Sequence, residues 1–332
     1  MLDVLLLPAI PVSPAVCFNL DMNYRALGHS GLIVSEIGLG CWQLSSNAWG
    51  THDSRDAGRI VQAALDQGCT FFDTAPGYGA GRSESMLGEA LKGRRSQVVL
   101  CSKFGHPAQG PADFSVSALR PAIDASLQRL RTDYLDVLLV HNPPPEWLDG
   151  RRSGLYEALA DLQQAGVLRA YGVSVDTLTD MQIALQTTGS TVVEVLFNAF
   201  HLGVRAGFAG AAAQGVGLIA KVPLDSGWLA GSYGRDSRFG GVRDRWSANV
   251  IARRAALVAR LAALLPPETS LPHAALGYAL AQPEIASVIP GARSTRQVED
   301  NMSAWGVKID GRVRDDILAL WQQEIEADPL PW

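Results

Sequence analysis

The chain has 332 residues, and its 28 lysines and arginines against 33 aspartates and glutamates give a net charge of -5 at pH 7. A mildly acidic balance without basic runs speaks against nucleic acid as a partner. A content of 47% hydrophobic and 18% charged residues excludes a disordered chain and describes a soluble globular protein with an ample core.

Residues 1–21, "MLDVLLLPAIPVSPAVCFNLD", carry an apolar patch. The patch lacks a basic flank, is interrupted by prolines and is too short to span a bilayer, so it reads as a leader outside the fold. The folded domain is then 22–332, with no membrane segment. The cysteines Cys17, Cys41, Cys69 and Cys101 form no C-x-x-C pair, so neither a zinc site nor a disulfide framework is indicated and a cytoplasmic location is expected.

From Ser35 onward, short apolar runs alternate with amphipathic stretches. The runs are "SEIGLGCW" (35–42), "CTFFDTA" (69–75), "QVVLCSKF" (97–104), "LDVLLVHN" (135–142), "RAYGVSV" (169–175), "VVEVLFN" (192–198), "VGLIAKVP" (216–223) and "IASVIPGA" (285–292). Most are continuously apolar, as strands buried on both faces of a parallel sheet are. Between them lie helical patterns, one capped by Asp53 and closed by Gly68, another beginning at Ser83. Eight such strands alternating with helices predict a single-domain (β/α)₈ TIM barrel, with an open doubly wound sheet as the alternative. The segment 225–247, rich in Gly, Arg and aromatics, is long for a connection and reads as a lid.

In a barrel, chemistry collects where strands end at the C-terminal face. That rule selects Asp73, Lys103 and His141, with Tyr78 on the loop after Asp73. A phenol is a poor proton donor near neutrality unless a neighbouring ammonium favours its phenolate, and a half-buried Lys103 needs an anion such as Asp73 to stay charged. His141 offers a second hydrogen-bond donor to a carbonyl oxygen. The set suits proton delivery to an oxygen while hydride reaches its carbon. A Schiff-base role for Lys103 is the competing chemistry.

No G-x-G-x-x-G joins a first strand to a helix, so a Rossmann site is not indicated. After the eighth run, Ser294 and Gln297 stand at capping-box spacing, and a helix start with Arg293 beside it suits a phosphate. Trp42 is placed to wall a substrate pocket, and Trp49, Phe104, His106 and Phe200 lie within reach on neighbouring loops.

The stretches "DTAPGYG", "SKFG", "LVHNP" and "YGVS", in that order, resemble the aldo-keto reductase superfamily, over almost all of the chain from Tyr24 to about Trp305. The resemblance implies a catalytic tetrad of Asp73, Tyr78, Lys103 and His141, with Tyr78 as general acid in carbonyl reduction and general base in alcohol oxidation. It implies an adenosine and 2′-phosphate site at Gly291, Arg293, Gln297, Asp300 and Asn301, favouring NADP(H) over NAD(H). Pro223, Leu224, Ser226, Gly227 and Leu229 correspond to pyrophosphate-side contacts, and Ser174 to the residue that holds the nicotinamide carboxamide. Three positions depart from the pattern: Val175 stands where Asn or Arg is usual, Glu194 where Gln is usual, and Lys221 replaces a common stacking aromatic. The implied substrate is a small carbonyl compound or sugar. Some relatives hold the cofactor as regulatory subunits, which gives a non-catalytic alternative.

Overall fold

The structure is a computed structural model and describes residues 22–45, 53–241 and 244–331. The 1–21 segment and Trp49 lie outside the described residues. The described chain opens with an antiparallel hairpin, β1 (Tyr24–Ala26) and β2 (Ile33–Ser35). Eight parallel strands follow: β3 (Leu39–Gly40), β4 (Phe71–Asp73), β5 (Val99–Phe104), β6 (Leu135–His141), β7 (Leu168–Val175), β8 (Val192–Leu196), β9 (Gly217–Lys221) and β10 (Ile285–Val288). Neighbours in sequence are neighbours in the sheet from β3 to β10. The two ends meet through parallel bridges Ile37↔Val288 and Gly40↔Gly291, with Gly38 N–H donating to Val288 O at 2.8 Å. The predicted (β/α)₈ barrel is therefore present, and the open-sheet alternative is set aside.

Strand side chains divide by parity. Phe71, Val99, Cys101, Val137, Leu139, Ala170, Val192 and Ile219 form an inner cluster, whereas Phe72, Leu100, Leu138, Val140, Val173, Val193 and Val195 join the larger cluster outside the barrel wall. The hairpin was not predicted, since three-residue strands show no periodicity. Leu27, Leu32 and Val34 belong to the inner cluster, so the hairpin stops the N-terminal end of the barrel. Gly28 (φ 55°) makes that closure possible, because a Cβ there would stand 2.3 Å from Gly215 O and Gly217 N.

The helix Ser54–Asp66 begins as expected, with the Asp53 carboxylate accepting from Arg55 N and Asp56 N. The helix expected from Ser83 instead spans Arg82–Ala90 with Gly81 at its cap. Ser83 is buried and its hydroxyl donates to Cys41 O at 2.8 Å, tying the helix to the barrel rim rather than capping it. In the 225–247 segment, Trp228, Tyr233, Phe239 and Trp246 pack on one another, Trp228 at 5.5 Å from Tyr233 and Trp246 at 5.1 Å from Phe239. The aromatic content that suggested a lid is largely a small core of its own.

Candidate active site at the C-terminal mouth of the barrel

Inward parity carries the polar residues to one place. Asp73 follows Phe71, Lys103 follows Cys101, His141 follows Leu139, Glu194 follows Val192 and Lys221 follows Ile219, each two residues further along an inward-facing row. His141 lies in register with Ser174, and Ser174 with Glu194, so three polar residues form one layer across β6, β7 and β8.

Lys103 lies at the centre. Its Nζ donates to Asp73 Oδ1 and Oδ2, each at 2.6 Å, and to Thr74 O at 3.1 Å, and lies 3.6 Å from Glu194 Oε2. Burial works against the Lys103 charge, but Asp73 and Glu194 more than offset it and hold the ammonium well above its ordinary pKa. Burial, together with the Glu194 charge, pushes the Asp73 carboxyl up to about 7, against the opposing pull of Lys103. Glu194 is moved the other way: burial raises it, but Lys103 and Lys221 lower it below the usual carboxylate range.

Tyr78 stands beside this group. Its ring centroid is 5.4 Å from Lys103 Nζ, it stacks on Trp42 at 5.9 Å, and it meets His141 edge-on at 6.1 Å. Burial raises the Tyr78 phenol and the Asp73 and Glu194 charges add to the rise, while Lys103 counters only part of it. The net displacement is upward, a correction to the acidified phenol read from the sequence: burial is the largest influence, and Lys103 limits the rise without reversing it. His141 is displaced well below its ordinary value by burial and by Lys103, Lys221 and His106, so its imidazole is neutral near pH 7. Its Nδ1 is buried without a hydrogen-bond partner in the protein.

A second polar chain adjoins the first. Lys221 Nζ donates to Ser174 Oγ at 2.8 Å and to Asn142 Oδ1 at 3.0 Å, and pairs with Asp176 Oδ1 at 2.7 Å. Ser174 in turn donates to Glu194 Oε1 at 2.8 Å. Lys221 therefore reaches into a hydrogen-bonded network. Asn142 and Asp176 were not singled out from the sequence, although both directly follow the ends of strands that were.

A cavity of about 740 Å³ opens from Asp73, Tyr78 and His141 and runs past Glu194 and Lys221 to Arg293, Arg296 and Asn301. Trp42, Pro223, Leu224, Ser226, Gly227, Gly291, Gln297 and Asp300 also line it. Ser174 and Leu229 do not, both being fully buried behind it. Phe104 is a correction among the substrate candidates. It follows Lys103 by one residue, so it faces outward, where it packs on Phe114 at 6.4 Å. Phe200 is likewise core, at 1% exposure.

At the far end, Ser294 caps the helix Thr295–Met302, accepting from Gln297 N at 3.2 Å. The Gln297 side chain accepts from Arg293 N at 2.8 Å, one residue before the cap rather than from Ser294 itself, and ties the entering chain to the first turn. Arg293, Arg296 and the helix start at Ser294 all line the cavity, a setting that suits phosphate. Between the two ends, the backbone at Val222, Asp225 and Ser226 is left-handed, with φ of 54°, 45° and 55°. Such strain persists where surroundings over-determine it. Here Asn198 Nδ2 donates to Val222 O at 2.9 Å, and the buried Asp225 carboxylate pairs with buried Arg254.

Among the described residues, no helix is long and apolar enough to cross a membrane. Residues 36–322 match the model of the aldo/keto reductase family. The chain is 34% identical over 291 residues to L-galactose dehydrogenase of Arabidopsis thaliana, covering 85% of this chain and 88% of that protein. It is 30% identical over 314 residues to a probable voltage-gated potassium channel subunit beta of Oryza sativa, covering 86% and 92% of the two chains. A solved structure of an aldo-keto reductase from Bacillus halodurans in its holo form superposes with a TM-score of 0.76 at 29% identity, covering 90% of this chain and 96% of that one. The chain belongs to the aldo/keto reductase family of oxidoreductases.

Proposed function

We propose that the protein is an NADP(H)-dependent reductase of aldehydes, ketones or sugar carbonyls, running in reverse as an alcohol or sugar dehydrogenase, with Tyr78 as the proton donor and acceptor. The observation that carries this reading is the adjacency of Tyr78 to a Lys103 ammonium bound by Asp73, at one end of a cavity whose other end presents two arginines at a helix start.

The residues fit a dinucleotide phosphate at each part of its length. Arg293, Arg296 and the capped helix start suit a 2′-phosphate. Ser226 and Gly227 offer a strained, pre-set loop in the middle of the cavity. A reduced nicotinamide held there would supply the hydride for the carbonyl carbon. The Tyr78 hydroxyl gives its proton to the carbonyl oxygen, and the neutral His141 imidazole orients that oxygen by donating one hydrogen bond. Lys103 stabilises the phenolate that remains once the proton has left. Trp42, stacked on Tyr78, walls the substrate side.

The Schiff-base alternative finds no support in the surroundings of Lys103. A nucleophilic lysine must be neutral, whereas this one is fully buried, ion-paired and held charged. The test is a panel of aldehydes, ketones and sugars with NADPH and NADH, followed at the nicotinamide absorbance. Steady consumption of NADPH with at least one carbonyl is expected. Nucleotide binding without turnover across the panel would favour a cofactor-holding role instead.

A further inference from the structure

Lys103 has more anionic contact than one aspartate supplies. Glu194 Oε2 lies 3.6 Å from its Nζ, and carboxylate oxygens of Asp73 and Glu194 approach within 4.8 Å of one another. Glu194 is 1% exposed, and Oε2 has no hydrogen-bond partner in the protein. A buried carboxylate oxygen left in that state is costly unless a cation compensates it. Lys103 is the nearest compensating cation. The other oxygen, Oε1, accepts from Ser174, whose hydroxyl accepts in turn from Lys221, so Glu194 is aimed by a rigid chain of bonds. Lys221 is itself paired with Asp176, which leaves Lys103 as the larger of the two cationic influences on Glu194.

The charged and titratable groups facing Tyr78 are then Asp73 from β4, Lys103 from β5, His141 from β6 with His106 behind it, and Glu194 from β8. Those facing Glu194 are Lys103, Lys221 and Asp73. Asp73, raised to about 7 by burial and by Glu194, is only part ionised near neutrality, whereas Glu194 is held ionised by Lys103 and Lys221, so its charge is the steadier of the two that the phenol meets.

We propose that Glu194 is a positioning residue, a second counter-ion of Lys103 that holds the ammonium in place and favours the proton-donating form of Tyr78. The inference rests on the reading of Tyr78 as the acid. Its consequence is that Tyr78 keeps its proton to higher pH than the Lys103–Asp73 pair alone would set.

The decisive experiment places 3,5-difluorotyrosine at position 78, whose more acidic phenol titrates where the protein stays folded, and follows its ¹⁹F shift against pH. Glu194→Gln should lower that titration by about one pH unit, the effect of removing one nearby anion. Glu194→Asp, which keeps the charge, should stay close to the parent. In the natural-tyrosine protein, Glu194→Gln should shift the pH dependence of alcohol oxidation, which needs the phenolate, about one unit lower. An unmoved ¹⁹F titration in folded Glu194→Gln overturns the proposal, and Glu194→Asn gives the same reading where the Gln variant does not fold. A parent protein without turnover would sink the reductase reading alone, since the ¹⁹F titration needs no activity.

Discussion

The Lys103 ammonium meets both carboxylate oxygens of Asp73 at 2.6 Å, and the two side chains are 0% and 3% exposed. An ion pair this deep is a device for keeping charge where solvent does not reach, rather than a gain in stability. Lys103→Met should therefore lower the rate of carbonyl reduction by about 10²–10⁴-fold, the range attributed to positioned proton transfer. It should also destabilise the fold by about 3–5 kcal/mol, because two buried carboxylates lose their cation. Steady-state kinetics and urea unfolding on one preparation check both, and the double variant with Asp73→Asn should recover stability without activity.

Arg254 and Asp225 form a second fully buried pair, with Arg254 Nη2 also donating to Pro331 O at 2.6 Å. Burial works against the Asp225 charge, but His201 and Arg254 outweigh it and hold the carboxyl below the usual range. A depressed carboxyl contributes stability above the unfolded value of 3.8, and that contribution is lost as pH falls through the folded value. Urea midpoints should fall on acidification below that point in the parent, and fall less in Asp225→Asn. Because Asp225 anchors the left-handed turn at Ser226, Arg254→Met should also weaken nucleotide binding.

Arg296 was not singled out from the sequence, yet it lines the cavity together with Arg293. Charge-assisted contacts to a phosphate contribute more than neutral ones. Arg296→Ala should weaken NADPH binding by about tenfold, given roughly 1.5–3 kcal/mol for a hydrogen bond to a charged group. NADH binding should change little. Isothermal titration with the two nucleotides separates these outcomes.

His141 is displaced well below 6.5 by burial first, then by Lys103, Lys221 and His106. The unfolded chain therefore binds more protons below pH 6.5, and His141 costs stability progressively as pH falls through that region. His141→Gln should flatten this part of the stability profile. It should also reduce carbonyl reduction while leaving nucleotide affinity close to the parent.

The barrel is legible because six of its strands, β4 to β9, are apolar runs that carry an inward polar residue (Asp73, Lys103, His141, Ser174, Glu194 or Lys221) in their C-terminal part, and parity brings those residues to the mouth. The same parity rule, applied one residue further, would have turned Phe104 away from the pocket before any coordinates were known. The β1–β2 hairpin was not legible, because Tyr24–Ala26 and Ile33–Ser35 are too short to show alternation. The direction of the Tyr78 displacement is not legible in the sequence for another reason: it is set first by how deeply the closed barrel buries the phenol, which a loop residue after β4 does not reveal. The aromatics of 225–247 share their composition with a ligand-covering loop, and only packing reveals them as a small core.

The role given to Tyr78 is tested most directly by Tyr78→Phe, which removes one hydroxyl and leaves the stack on Trp42. NADPH affinity should equal that of the parent while carbonyl reduction at saturating nucleotide falls by about 10²-fold or more. Retention of the parent rate in the Phe protein would contradict the assignment.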